Sequence, residues 1–367
     1  MARQAQPVAP AFGRHFRWVP PCGPADRGRR MSRHALICGV TGQDGAYLAQ
    51  FLLAKGYRVT GTSRDAQVAS LGNLSKLGIA GRVELRSMVL TDFRSTLQTL
   101  AKVEPDEIYN LAGQSSVGLS FEQPVETMES ISVGVLNLLE SIRFLGRSTR
   151  LYQASSSECF GDTDGKPADE NTAFRPRSPY AVAKSAAHWA VVNYREAYGL
   201  FASNGILFNH ESPLRPKRFV TRKIISAACA IKADPKVRLQ LGNVDISRDW
   251  GAAPEYVDAM WRMLQLDEPA DFVIATGQTF SLGDLVAAAF AELGLDWRAH
   301  VDVDPTLRRP SDIGYSSGDP RKAARLLGWT ASSAMHDVVR LMIEAELRDA
   351  RAGGNSDTPQ LPRRSGI

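Results

Sequence analysis

The sequence predicts an α/β fold, a doubly wound parallel sheet joined to a smaller, discontinuous lobe, and three observations lead there. Short apolar runs alternate with helical patterns through the first half of the chain. The first run ends in a cluster of glycines. The rhythm then breaks after about residue 207, where a loop dense in proline and basic residues begins. Alternation of this kind buries a parallel sheet between helices.

Each element follows in order. The run HALICGVTG (34–42), the helical AYLAQFLLAKG (46–56) and the second run RVTGTSR (58–64) form a βαβ opening. RVELRS, EIYNLAG, RLYQASSS and ASNGILFN continue the strands. FRSTLQTLAKV, TMESISVGVLNLLESIRFLG and YAVAKSAAHWAVVNYREAYG supply the helices between them. Beyond the break come NHESPLRPKRFVTRKI, the helix IISAACAIKA and a hairpin-like VRLQLGNVDISRDWG, and then DFVIATG reads as a return to the sheet. The expected division is a dinucleotide-binding part at 31–207 with returns near 245–277. A substrate-binding part occupies 208–244 and 278–348, between an extension at 1–30 and a polar, frayed tail at 349–367.

Composition limits the function. At 367 residues, with 44% apolar and 23% charged residues, the chain is of ordinary globular type. No run approaches the ~20 apolar residues that a membrane helix needs. The net charge of +5 is carried by Arg3, Arg14, Arg17, Arg27, Arg29 and Arg30 against Asp26. The rest of the chain is formally neutral, so the basic balance describes an N-terminal stretch and not a nucleic-acid surface. That stretch lacks the apolar core of a secretory signal, and Met31 is a natural start. Cys22, Cys38, Cys159 and Cys229 are scattered without metal-ligand spacing, which suits reduced thiols in a cytoplasmic protein and no zinc site.

Gly39-Val40-Thr41-Gly42-Gln43-Asp44-Gly45 places a G-x-x-G-x-x-G pattern between the first strand and the first helix. Glycines there let the backbone approach a pyrophosphate, which the helix N-terminus then stabilises. This is the signature of a Rossmann-type dinucleotide site. Arg64, past the second strand, suits the 2′-phosphate of NADP, whereas Asp65 beside it suits the free hydroxyl of NAD. NADP is the expected cofactor, with NAD the alternative.

Two further pairs carry chemistry. Ser156 and Glu158, in QASSSECFG, fall on one face if the segment is extended. Tyr180 and Lys184, spaced i and i+4, share a helix face. A neighbouring ammonium lowers a phenol's pKa and makes it a base for a sugar hydroxyl.

On these residues the sequence resembles the extended short-chain dehydrogenase/reductase family of nucleotide-sugar enzymes, and within it the GDP-mannose 4,6-dehydratases. GVTGQDGAYLAQFLLAKGY, PDEIYNLAGQSSV, YQASSSECFG, PRSPYAVAK, VNYREAYG and NGILFNHESP carry the likeness, which covers nearly all of 32–348. The resemblance implies Ser156, Glu158, Tyr180 and Lys184 as the catalytic set. It implies Leu111, Ala112 and Gly113 beside the cofactor, and Ser115 beside the sugar. It also implies Asn209, Glu211, Arg215, Lys223, Arg248, Arg309 and Asp312 around the GDP half of a GDP-sugar. Asp312 stands where the family carries glutamate, Ser116 where it carries histidine, and Phe160 where it carries tyrosine near the sugar. A loop shortened at 64–78 removes the arginine-rich segment that reaches a neighbouring subunit in relatives, which leaves a homodimer as the expected assembly and a tetramer open. Neither a nucleic acid nor a membrane is an expected partner. Other readings are a 4,6-dehydratase of another GDP-sugar such as a GDP-heptose, a nucleotide-sugar 4-epimerase or 4-reductase, and a nucleotide-binding regulator without chemistry.

Overall fold

A computed structural model of the chain describes residues 32–307 and 309–353. Its first strand, β1 (His34–Cys38), is buried at every position, as a strand covered on both faces must be. It leads through α1 (Gln43–Ala54) to β2 (Arg58–Ser63), and then through the short α2 (Gly72–Lys76) to β3 (Glu84–Ser87). α3 (Phe93–Val103), β4 (Glu107–Asn110), α4 (Val117–Glu122), α5 (Pro124–Met128) and α6 (Gly134–Leu145) follow. β5 (Arg150–Ser156), α7 (Pro179–Tyr198) and β6 (Ala202–Leu207) complete the first half. Beyond them lie β7 (Asn209–Glu211), α8 (Val220–Ala233), β8 (Leu239–Leu241), β9 (Ser247–Ala252) and α9 (Ala253–Met263). The chain continues with β10 (Phe272–Ile274), β11 (Thr279–Ser281), α10 (Leu282–Ala291), β12 (Val301–Val303), α11 (Arg321–Leu327) and α12 (Met335–Gly353).

Seven strands form one parallel sheet in the order β3-β2-β1-β4-β5-β6-β10. The order reverses between β1 and β4, and such a switch point opens a crevice at the carboxyl ends of the strands. α1 and α9 cover one face through Leu48, Leu52, Val257 and Met260, and α3, α6 and α7 cover the other through Leu100, Leu138 and Val191. Each such leucine contributes roughly 1.5–3 kcal/mol by leaving water. α7 starts at Pro179 because the Ser178 hydroxyl accepts from Ala181 N, and it ends at Gly199, whose φ of 68° needs no Cβ.

A second hydrophobic core forms where Ile225 (α8), Trp250 (β9), Phe290 (α10) and Met342 (α12) meet. Here the expected hairpin over 237–251 does not form. β8 instead pairs in parallel with β12, while β9 lies between β7 and β11. Residues between β8 and β9 carry the chain from one small sheet to another, a step that no local pattern encodes.

The helix expected over 127–146 is interrupted by a π-helical turn at Glu129–Val133. There Ser130 Oγ accepts from Gln114 N and Ser132 Oγ donates to Ala183 O, tying the bulge to the loop after β4 and to α7. α12 continues through Gly353, so the segment at 349–353 is helical; the remainder of the tail and the extension at 1–30 lie outside the described residues. Among the described residues no helix is long and apolar enough to cross a membrane.

Candidate active site

The crevice holds a cavity of about 520 Å³, and its floor, one wall and one rim come from different parts of the chain. At the rim, Gly39 adopts φ 81° and Gly42 begins α1 in an extended conformation. A Cβ at Gly45 would run into the Gly39 carbonyl and Val40 Cα, so α1 presses against the turn as only glycine allows. The Gln43 and Asp44 side chains, expected at the cofactor, bridge the turn to β7, and Asp44 lines the cavity. Gln43 Nε2 donates to the His210 carbonyl at 3.2 Å, and Asp44 Oδ2 pairs with His210 Nε2 at 2.8 Å. Their backbone amides at the start of α1 remain the part suited to a pyrophosphate. Thr41 is fixed through its carbonyl, which accepts from Asn73 Nδ2.

Past β2, Arg64 is exposed and makes no ion pair among the described residues, whereas Asp65 Oδ1 is occupied by Gln67 N at 2.8 Å. After β4, Leu111 lines the cavity and Ala112 N donates to Asn110 Oδ1. Gly113 sits at φ 117° with Ile131 against the place of its missing Cβ. A turn stripped of Cβ atoms, a helix N-terminus and an unpaired guanidinium fit a nicotinamide dinucleotide with a 2′-phosphate.

The floor is Ser156, Glu158, Tyr180 and Lys184, all of which line the cavity. Ser156 ends β5, and its hydroxyl accepts from Glu158 N at 3.3 Å, starting a 3₁₀ turn over Ser157–Phe160. Strand alternation therefore does not bring Ser156 and Glu158 together, as the sequence suggests. The turn links them, and both residues line the cavity. Burial pushes the Glu158 carboxyl above its ordinary value, while Arg248 and then Arg309 pull it down and Asp312 pushes it up. Lys184 is buried and donates to Ala154 O at 2.8 Å; burial lowers its pKa to about 8, against opposing pulls from Cys159 and Asp44.

Tyr180 departs from expectation. Burial pushes its phenol well up, opposed by a hydrogen bond with Ser156. The Lys184 ammonium lies 5.7 Å from the centre of its ring. The lysine is aimed at a strand-end carbonyl instead of the phenol oxygen.

The wall carries the expected cations, most of them already paired. Glu211 is buried; its Oε2 holds Arg215 Nε at 2.9 Å and accepts from Thr221 Oγ1 at 2.7 Å. Glu211 thus aims Arg215 through one oxygen, and it lines the cavity itself. Arg215 also stacks on Phe219 at 3.8 Å. Arg248, 5% exposed, donates to the Ser247 and Ile313 carbonyls and to Asp312 Oδ1. Arg309 reaches the same Asp312 oxygen at 3.5 Å. Lys223 is exposed and donates to Gln240 O. Asn209, Ser115 and Ser116 line the cavity, and Arg308 lies outside the described residues.

Phe160 does not reach the cavity. It packs on Phe174 and Phe208 with ring centres 5.2 and 6.2 Å away, so any altered selectivity falls to Ser116, which does. His210 is one of the cavity residues that sequence reasoning passed over. The signal available was its place one residue before Glu211 in NHESP.

A family model for GDP-mannose 4,6-dehydratase matches residues 36–342. The chain belongs to the GDP-mannose 4,6-dehydratase family. It is 45% identical over 344 residues to GDP-mannose 4,6 dehydratase 2 of Arabidopsis thaliana, covering 89% of this chain and 92% of the relative. It is 43% identical over 347 residues to the Homo sapiens GDP-mannose 4,6 dehydratase, covering 88% and 93%. Solved structures agree on the fold. A Thermus thermophilus UDP-glucose 4-epimerase in complex with NAD superposes with a TM-score of 0.75 at 25% identity, over 86% of this chain and 99% of that one. A Bacillus anthracis dTDP-glucose 4,6-dehydratase, also with NAD, gives 0.75 at 16%, over 87% and 98%.

Proposed function

We propose that this chain is a GDP-mannose 4,6-dehydratase, a hydro-lyase that turns GDP-D-mannose into GDP-4-keto-6-deoxy-D-mannose. The observation that carries the reading is a half-buried carboxylate, Glu158, held beside Ser156 and Tyr180 in one cavity whose wall is lined with guanidiniums. A bound NADP supplies the hydride acceptor for C4, the donor for C6 and a positive charge that favours the Tyr180 phenolate.

The chain's own groups do the rest. Tyr180 takes the proton of the C4 hydroxyl, assisted by its hydrogen bond with Ser156. The ketone so formed acidifies C5, and Glu158 as carboxylate removes that proton. Glu158, now protonated, gives a proton to the leaving C6 hydroxyl, and as C6 regains a hydride C5 takes back a proton, which Tyr180 holds from the first step. A carboxyl raised by burial suits both halves of this work near neutral pH. Arg215, Arg248 and Arg309 suit the diphosphate, which a planar guanidinium holds bidentately. Asp65, engaged in its own turn, leaves Arg64 as the free charge at the ribose, which favours NADP over NAD.

Purified protein incubated with GDP-mannose, without added reductant, should yield a product lighter by one water. An epimer of unchanged mass would instead favour a 4-epimerase, and unchanged substrate would favour a nucleotide-binding regulator. Ser116, a small hydroxyl in the cavity where relatives carry histidine, supports a second reading in which a bulkier GDP-sugar such as a GDP-heptose is the substrate. We also infer a homodimer through α6 and α7, whose surfaces expose Leu136, Phe144, Val182 and Trp189. The lobe at 208–244 and 278–348 serves as the substrate-binding part in this reading.

A further inference from the structure

Behind the floor lies a buried histidine that the proposed reaction does not use. Tyr180, Lys184 and His188 are spaced four apart and so share one face of α7. Each holds one of the last three residues of β5. Tyr180 hydrogen-bonds with Ser156, Lys184 Nζ donates to Ala154 O at 2.8 Å, and His188 Nδ1 lies 3.2 Å from Ser155 Oγ. His188 and Ser155 are both buried. They form a third rung between helix and strand, next to the two rungs made by the reacting groups.

The far side of the ring fixes its state. Nε2 lies 3.9 Å from Oδ2 of Asp271, the residue before β10. That carboxylate is already engaged: Arg195 Nη1 and Nη2 donate to its two oxygens, each at 2.8 Å, and Asn204 N donates at 2.8 Å. Burial lowers the His188 pKa to about 4, with Asp271 pulling it up and Arg195 pushing it down. The ring is therefore neutral near neutral pH, with one donor nitrogen and one acceptor. Facing a carboxylate, Nε2 keeps the proton, and Nδ1 is left to accept from the Ser155 hydroxyl.

The same pair touches the turn that carries Glu158. The His188 ring meets Phe174 edge-on with centres 4.8 Å apart, and Phe174 meets Phe160 at 5.2 Å. Burial pushes the Cys159 thiol up to about 11, against hydrogen bonds with Ser185 and Ser155. Helix, strand end and turn thus come together at the Ser155 hydroxyl.

We propose that His188, as the acceptor of the Ser155 hydroxyl, is a positioning residue that sets α7 in register on β5 and so aims Tyr180 and Ser156 at the C4 hydroxyl. The inference rests on the reading that Tyr180 takes that proton. The other two rungs belong to groups that serve the chemistry, so a rung that takes no part in it carries the alignment.

His188→Phe and His188→Asn separate alignment from packing. The Phe variant keeps a ring against Phe174 and loses the acceptor, whereas the Asn variant keeps an acceptor near the place of Nδ1 and loses the ring. With the NADP-loaded protein and GDP-mannose, the Phe variant should lose about 10–100-fold in kcat, the effect of a small misplacement, while KM stays within about twofold. The Asn variant should recover most of that loss yet melt at a lower temperature than the Phe variant, because it leaves a cavity. Turnover and stability should thus rank the two variants in opposite order, which a merely structural histidine would not do. Ser155→Ala removes the donor and should match the Phe variant in kcat; it decides the matter if His188→Phe does not fold. Turnover that follows melting temperature across the variants, or parent-like turnover in His188→Phe or Ser155→Ala, would overturn the proposal. If the unsubstituted protein forms no product lighter by one water, the reading of the site itself falls.

Discussion

The floor and the wall of the cavity treat charge in opposite ways. On the floor, Glu158 and Tyr180 are half-buried and Lys184 is buried, with little compensation, and desolvation is the largest influence on each, pushing every one toward its neutral form. On the wall, most cations already have an acceptor: Arg215 has Glu211, Arg248 has Asp312, and Lys223 has the Gln240 carbonyl. The floor is poised to exchange protons, and the wall is poised to hold still. Such a division is what a reaction of proton and hydride transfers on a tethered diphosphate requires.

Substitutions can break this contrast. Tyr180→Phe should have the largest effect, a fall of about 10²–10⁴-fold in turnover with little change in melting temperature, read by steady-state kinetics. Equal losses of turnover and stability would erase the distinction. Glu211→Ala should do the reverse. It leaves Arg215 unpaired in a buried setting, at a cost of about 3–5 kcal/mol in denaturant unfolding. Arg215→Lys keeps the charge but not the fork, so KM for GDP-mannose should rise about tenfold with turnover nearly unchanged.

The smallest effect sharpens the contrast through pH. Because the folded-state pKa of Glu158 is raised above its ordinary 4.5, the native state holds the proton longer as pH rises. Stability is therefore lost through the window between the unfolded and folded values, and the ionised carboxylate costs stability above it. Glu158→Gln should melt about 1–2 °C higher than the parent at neutral pH, and the gap should close below pH about 4. A lower melting point at neutral pH would place Glu158 among the compensated groups of the wall.

Legibility followed the range of the interactions. Ser156 and Glu158 lie two residues apart, Tyr180 and Lys184 four apart, and the parallel sheet follows from the alternation of strands and helices, so floor and fold class were readable from local spacing. The reason for the first proximity was not: a 3₁₀ turn, and no extended strand, brings the pair together. Wall partners such as Arg248 and Asp312 are far apart in sequence, and the resemblance alone placed them near one another. Gln43 and Asp44 were assigned to the nucleotide because they sit among glycines, but their side chains answer to β7, a strand more than 150 residues away. Phe160 looked like a sugar contact by position and proves to be core. The hairpin over 237–251 failed for the same reason, since a strand's pattern does not name its partner.

The central claim is that Glu158 separates a dehydratase from an ordinary C4 oxidoreductase site. Rapid mixing of the Glu158→Gln holoenzyme with GDP-mannose, followed by NADPH absorbance and by product mass, tests it most directly. The account predicts that NADPH appears and persists while no product lighter by one water forms. Dehydration at the parent's rate would contradict it.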